Sequence, residues 1–307
     1  MNRRTITAGA LLIALTALSG QALQAQLPAQ YRDYPLAQLK PSGDLVAPFF
    51  DGWYDNGDGT ITYQFGFLNR NLEEIVDIPL GEDNHITPAQ YDGVQPTHFP
   101  AYNRRGFTGK RERGVFAITV PDDQTEVVWT LSSAGHTYSI PGRATSPAYQ
   151  MSRFPAAFGS LPPAVRFSPT SPESRGTEGP TAERIMASVG TPVTIEALVQ
   201  DRGERYGLAE QAYYPVTAEF IMHQGPAGTE IEFDPPRVTV GDEMPGSPAA
   251  EGAPSMSNEW GRVATQATFS EPGEYIVRIQ VDNFGAPDSR FDNLCCWANA
   301  YVPVTVH

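Results

Sequence analysis

The chain has only two cysteines in 307 residues, and they are neighbours, Cys295-Cys296. They can pair only with each other or with another chain, so no disulfide framework ties the fold together. Basic residues are also few, 21 against 35 acidic ones, for a net charge of −14. That balance excludes the electrostatic footprint of a nucleic-acid binder. Apolar runs of membrane-spanning length are missing, and so is any amphipathic helical pattern longer than two turns. No Gly-x-Ser-x-Gly elbow, His-Glu-x-x-His pair or phosphate-binding glycine loop is present. Paired acids such as Glu73-Glu74 and Asp122-Asp123 are common, but neighbours on a strand point to opposite faces. Glycosidase acids have no fixed short spacing, so a carbohydrate-active enzyme without a visible motif stays an alternative.

Glycine and proline are abundant, 28 of each, which favours many turns between short strands. With 40% hydrophobic and 18% charged residues, the chain can bury real cores. Its length fits two domains at roughly 150 residues each.

Residues 1–25 start MNRR, run apolar from Ala8 to Leu18, and end on the small residues Ala22 and Ala25. That is the layout of a secretory signal peptide, with cleavage expected after Ala25 and Ala22 as second choice. Arg3-Arg4 leaves a twin-arginine route as a lesser option. The uncharged stretch Thr5 to Gly20 is 16 residues, short of the about 20 a spanning helix needs. The exported chain is therefore expected in the periplasm or outside the cell, without an integral membrane segment.

Behind the leader, an N-terminal extension (26–44) precedes a first β-sandwich (45–150). A Pro/Ser/Gly-rich stretch (151–183) reads as a linker. A second sandwich follows (184–307), interrupted by an exposed loop over 241–258. Ile61, Tyr63, Phe65 and Phe67 alternate with smaller or polar residues, the period of a half-buried strand. EEIVDIP, GVFAITV and EVVWTL add strands to the first half. PVTIEALV, VTAEFIMH, RVATQATF, GEYIVRIQV and AYVPVTV supply the second. The fold class expected is all-β, two sandwiches.

Glu271-Pro272-Gly273-Glu274-Tyr275 precedes an alternating strand, and HQGPAGTEIEFDPPRVTV lies upstream. Over roughly 185–307 the chain resembles bacterial PKD-like and immunoglobulin-like modules. The resemblance implies a tyrosine corner at Tyr275 and Gly273, its hydroxyl bonded back to the backbone. Val277 stands where an antibody domain has its second cysteine, so packing replaces that disulfide. GWYDNGDGTITYQFGFLNRN, DIPLGEDNHITP and CCWANAYVPVTV resemble secreted bacterial proteins with no assigned activity. That resemblance implies secretion and a two-domain β build, and transfers no catalytic residues.

The candidates for chemistry are few. Asp55-Asn56-Gly57-Asp58-Gly59 fails the EF-hand spacing and reads as a tight hairpin turn, with a looser calcium loop as the alternative. Asp83, His85, His98 and His136 sit on predicted loops and turns. Should they meet at one end of a sandwich, they offer ligands to zinc or copper; surface histidines are the plainer reading. Arg104, Arg105, Lys110, Arg111 and Arg113 form a basic run, either an anion-binding patch or a solvated strand edge. Cys295-Cys296 offers a vicinal disulfide, two thiols, or a redox, metal or intermolecular role. The function expected is a non-enzymatic binding or structural protein of the bacterial envelope or exterior, its partner a protein or a glycan. A secreted metal-binding or redox protein is the alternative from another class.

Intact-mass measurement of the exported chain, without reductant, is expected to place Gln26 first. A further loss of about two hydrogens marks a bond between Cys295 and Cys296, and full retention of residues 1–25 rules out the leader.

Overall fold

Alternation of apolar and polar residues builds nearly everything in this molecule. The computed structural model describes residues 39–101, 111–151, 161–174, 176–203, 216–240, 260–283 and 297–307. The leader, the 241–258 loop, Arg104, Arg105, Lys110 and Cys295-Cys296 lie outside the described residues. Among the described residues, no helix is long and apolar enough to cross a membrane.

The first half carries β1 (Val46–Asp55), β2 (Ile61–Asn69), β3 (Val76–Asp77), β4 (Asn84–Thr87), β5 (His98–Phe99), β6 (Glu112–Val120), β7 (Val127–Ser133) and β8 (His136–Gly142). Sheets β1-β2-β6 and β4-β7-β8 enclose one core, with the short pair β3-β5 beside them. Phe65 of β2 stacks on Phe116 of β6 at 5.2 Å, and Trp129 of β7 meets Phe116 edge-on at 5.0 Å. The first contact lies within one sheet and the second joins the two sheets, and both supply area and fixed geometry together. The Trp129 Nε1–H donates to Asn84 Oδ1 at 3.0 Å, and the Asn84 amide donates to the carbonyls of Ile78 and Pro96. The buried Asn84 thereby satisfies the core indole and shapes the loop that leads to β5.

The second half carries β9 (Ala164–Arg166), β10 (Ile185–Ala187), β11 (Val193–Gln200), β12 (Val216–Gln224), β13 (Ile231–Asp234), β14 (Arg237–Val240), β15 (Gly261–Phe269), β16 (Gly273–Asp282) and β17 (Trp297–Val306). Its sheets run β10-β17-β16-β12-β14 and β13-β15-β11-β9. The pairing is immunoglobulin-like, with β11 on β15 in one sheet and β12-β16-β17 in the other. Val277, Ile279 and Val281 of β16 point into the second core, where Ile195, Val263 and Phe269 meet them. The Tyr275 hydroxyl donates to the Glu271 carbonyl at 2.8 Å. Gly273 sits at φ +154, where a Cβ would strike Pro226.

Residues 40–307 form one compact unit. The stretch read from composition as a linker contributes to it. β9 pairs with β11, and the backbone over 176–182 bonds to Asn299 and Tyr301 along β17. Proline has no N–H to give a ladder, yet its carbonyl accepts normally, as Pro180 does from the Tyr301 N–H.

The two halves meet where β6 leaves β2. Phe65 pairs with Phe116, but Phe67 pairs with Glu112, so the extra residues of β6 bulge outward opposite Gly66. Asp51 of β1 closes the gap. Its carboxylate accepts the Gly114 N–H at 2.8 Å and binds the Arg111 guanidinium. Burial pushes this carboxyl up, against the pull of Arg111. Gly114 holds φ +54, and a Cβ there would overlap the Trp297 indole. Gly114→Ala is expected to cost at least about 2 kcal/mol in urea unfolding, from strain plus overlap. Gly57→Ala, also at positive φ but with open space, should cost only about 1 kcal/mol. Equal losses would show that the Trp297 contact is not limiting.

Candidate functional site

The outer face of the β12-β16-β17 sheet is where sequence and burial part company. Strand pairing sets Ile221, Arg278 and Tyr301 in one row across it, and Glu219, Gln280 and Asn299 in the next. Alternation puts these side chains opposite the second core, on the face normally left to solvent. Yet Arg278 is 2% exposed and Asn299 0%, because β6 of the first half lies over them.

The polar atoms under that cover are held by the exposed carbonyls of the β6 bulge. The Asn299 amide donates to the Gly114 carbonyl at 2.7 Å, and more weakly to those of Val115 and Thr177. The Tyr301 hydroxyl donates to Thr177 at 2.9 Å and to Val115 at 3.1 Å. Burial pushes this phenol up to about 12, so it stays a donor.

A second set of bonds stitches the loop before β5 to the end of β12. The Thr97 N–H donates to the His223 carbonyl at 2.9 Å, and the Gln224 amide donates to Gly93 and Gln95. Asp77 joins both halves. It accepts from the His98 Nδ1–H at 2.8 Å and from the Gly228 N–H at 2.8 Å. Burial alone would raise its carboxyl, but these two bonds and the nearby imidazole hold it below the usual range. The His223 Nε2–H faces the Val94 carbonyl at 2.9 Å. Burial and the Arg278 charge push this imidazole down to about 3, so it is neutral at ordinary pH.

Beside the stitching, the halves leave a cleft of about 580 Å³. Ile75, His98, Pro100, Ala101 and Glu112 line one side. Glu219, Ile221, Glu230, Ile231, Phe233 and Arg278 line the other. Arg278 is poorly served for so buried a cation. Its Nη1–H reaches the Val115 carbonyl at 3.4 Å, its Nη2 lies 3.9 Å from Glu112, and Nε has no partner among the described residues. A guanidinium carries five donors, and a buried one without acceptors is costly.

The residues singled out from sequence do not converge. His85 faces the Glu82 carbonyl on β4, His98 is on Asp77 in the cleft, and exposed His136 stacks on Tyr138 at 6.2 Å. Asp83 is exposed, its carbonyl taking the Ser132 N–H. Among the described residues, no three His, Cys, Asp or Glu side chains are grouped to hold a metal ion. Asp55 and Asp58 accept bonds from Gly57 and Thr60 within their own hairpin turn. Arg111 is committed to Asp51. Arg278, Asn299 and Tyr301 were missed. Their one sequence signal is a lone arginine inside an otherwise uncharged strand core, IVRIQV.

No family model matches the chain, and no curated protein matches its sequence. Among solved structures it is similar to an ASH/PapD-like domain of human CEP192, at 7% identity over 54% of this chain and 92% of that one, TM-score 0.26. It is similar to the titin Ig tandem domains A164-A165, at 11% identity over 86% and 99%, TM-score 0.20. A third similar structure is a protein of unknown function from Porphyromonas gingivalis W83, at 8% identity over 85% and 99%, TM-score 0.21. Likenesses this remote transfer no ligand, partner or activity.

His223 makes the junction acid-sensitive. The unfolded chain takes up its proton below about pH 6.5 and the folded one only near pH 3, so stability falls as pH drops through that window. His223→Gln, which keeps an N–H for Val94, is expected to flatten Tm against pH between 6.5 and 4. Unchanged slopes would place the acid sensitivity elsewhere.

Proposed function

We propose that the chain is an exported, non-enzymatic binding protein of the bacterial cell envelope or exterior. Its ligand, a peptide or protein segment or a glycan, engages the cleft between the two sandwiches. The observation that carries the reading is the cleft itself, about 580 Å³ between the two halves, with the poorly paired Arg278 guanidinium in its wall. The walls add apolar surface from Ile75, Ile221 and Phe233 to a few converging polar groups, the usual make-up of a ligand pocket. The leader-like residues 1–25 support export.

Ile75 tests this without touching the core, because it is half exposed at the cleft wall. Panels of peptides and oligosaccharides titrated into the mature protein should yield a binder that shifts amide resonances of His98, Ile221 and Arg278. Ile75→Asp should weaken it at least about tenfold with little change in Tm. Ligands that shift only residues remote from the cleft, or that are turned over, would overturn the reading.

A further inference from the structure

One wall of the cleft is an open sheet edge. β13 ends its sheet and pairs only with β15. The Ser270 N–H donates to the Glu230 carbonyl, which makes Glu230 and Ser270 a bonded pair. Antiparallel ladders alternate bonded and unbonded pairs, so Glu232 and Asp234 also turn their backbone groups to β15. Ile231 and Phe233 turn theirs to the open edge, and both residues line the cleft. Among the described residues, nothing takes the bonds they offer there.

The two faces of β13 differ. Ile231 and Phe233 pack on the second core, and Phe220 and Met222 line the cleft with them. Glu230, Glu232 and Asp234 stand exposed on the outer face. None of the three has an ion pair or a side-chain hydrogen bond among the described residues. A strand laid antiparallel along this edge bonds Ile231 and Phe233 through the residues directly opposite, whose side chains share their face. Those positions call for apolar residues. The positions between and beside them oppose the three carboxylates and call for lysine or arginine. Exposed acids alone would only keep an edge from aggregating. Here the edge opens into a cleft of about 580 Å³, within the range of ligand pockets.

We propose that β13 takes an extended peptide as an added antiparallel strand, its basic and apolar residues alternating opposite 230–234. This rests on the binding reading above and names the ligand of that same cleft. Main-chain bonds to Ile231 and Phe233 supply the grip, and the alternate side chains supply the selection.

The probe is acetyl-Lys-Val-Lys-Val-Lys amide, titrated into the mature protein and followed by hydrogen exchange and amide resonances. Exchange at Ile231 and Phe233 should slow at least about tenfold at saturation, while Glu232, already turned to β15, changes little. N-methylation of both valines should weaken binding at least about tenfold. N-methylation of the central lysine should change it little, because that N–H faces away from β13. Glu232→Lys, a change at an exposed side chain, should weaken the probe at least about fivefold. Acetyl-Lys-Val-Glu-Val-Lys amide should bind that variant better than it binds the native protein. Valine-methylated probe that binds as tightly, or a complex in which exchange at Ile231 and Phe233 is unaltered, overturns the added strand. A glutamate probe that binds the native protein as well as the lysine probe overturns the charge pattern. A dimer whose formation protects the same amides makes a second copy the occupant and overturns the peptide. An oligosaccharide that shifts His98, Ile221 and Arg278 while the probe does not overturns the strand and leaves the binding reading standing. Silence of the cleft towards every ligand overturns both.

Discussion

The bulge of β6 over the sheet β12-β16-β17 is the constraint on which the molecule turns. It presents two backbone carbonyls, Gly114 and Val115, away from their own sheet. Those carbonyls must find donors, because buried backbone acceptors are seldom left open. Asn299 and Tyr301 provide them from the other sandwich. The bulge exists because Gly114 tolerates positive φ and because Asp51 takes over the N–H that β2 no longer meets. The two sandwiches thereby belong to one compact unit, Lys40–His307.

Polar junctions of this kind are demanding. Each donor buried under β6 has to be matched, or it carries the full cost of desolvation. Asn84, Asn299 and Tyr301 meet that demand with short bonds to carbonyls. Arg278 meets it only in part, with one long bond to Val115, and it borders the cleft together with Ile221 of its row.

The same junction explains the molecule's relation to acid. His223 lies where a strand bulge of β12 meets the Val94 loop, beside Arg278 and against the Tyr301 ring at 5.3 Å. A second cation there faces both desolvation and repulsion. Asp77, held ionised by His98 and Gly228, responds to acid in the same direction. Acid therefore works against the bonds that join the halves through both groups.

The strands TITYQFGFL, PVTIEALV and GEYIVRIQV were legible because a two-residue period states which side chains face a core, and β2, β11 and β16 follow it. So was the turn at Asp55–Gly59, since local side-chain bonds decide it. The sequence by itself determined the all-β frame, the inward rows of both sandwiches and the scarcity of cross-links. It did not determine that the outward row of Arg278, Gln280, Tyr301 and Asn299 would be covered too. Alternation distinguishes two faces of a strand, but burial of the second face depends on where another sheet lands. That placement is set by the β6 bulge and by bonds between residues more than a hundred positions apart. The tertiary structure alone therefore decided the cleft, its poorly paired guanidinium and the scattering of His85, His98 and His136.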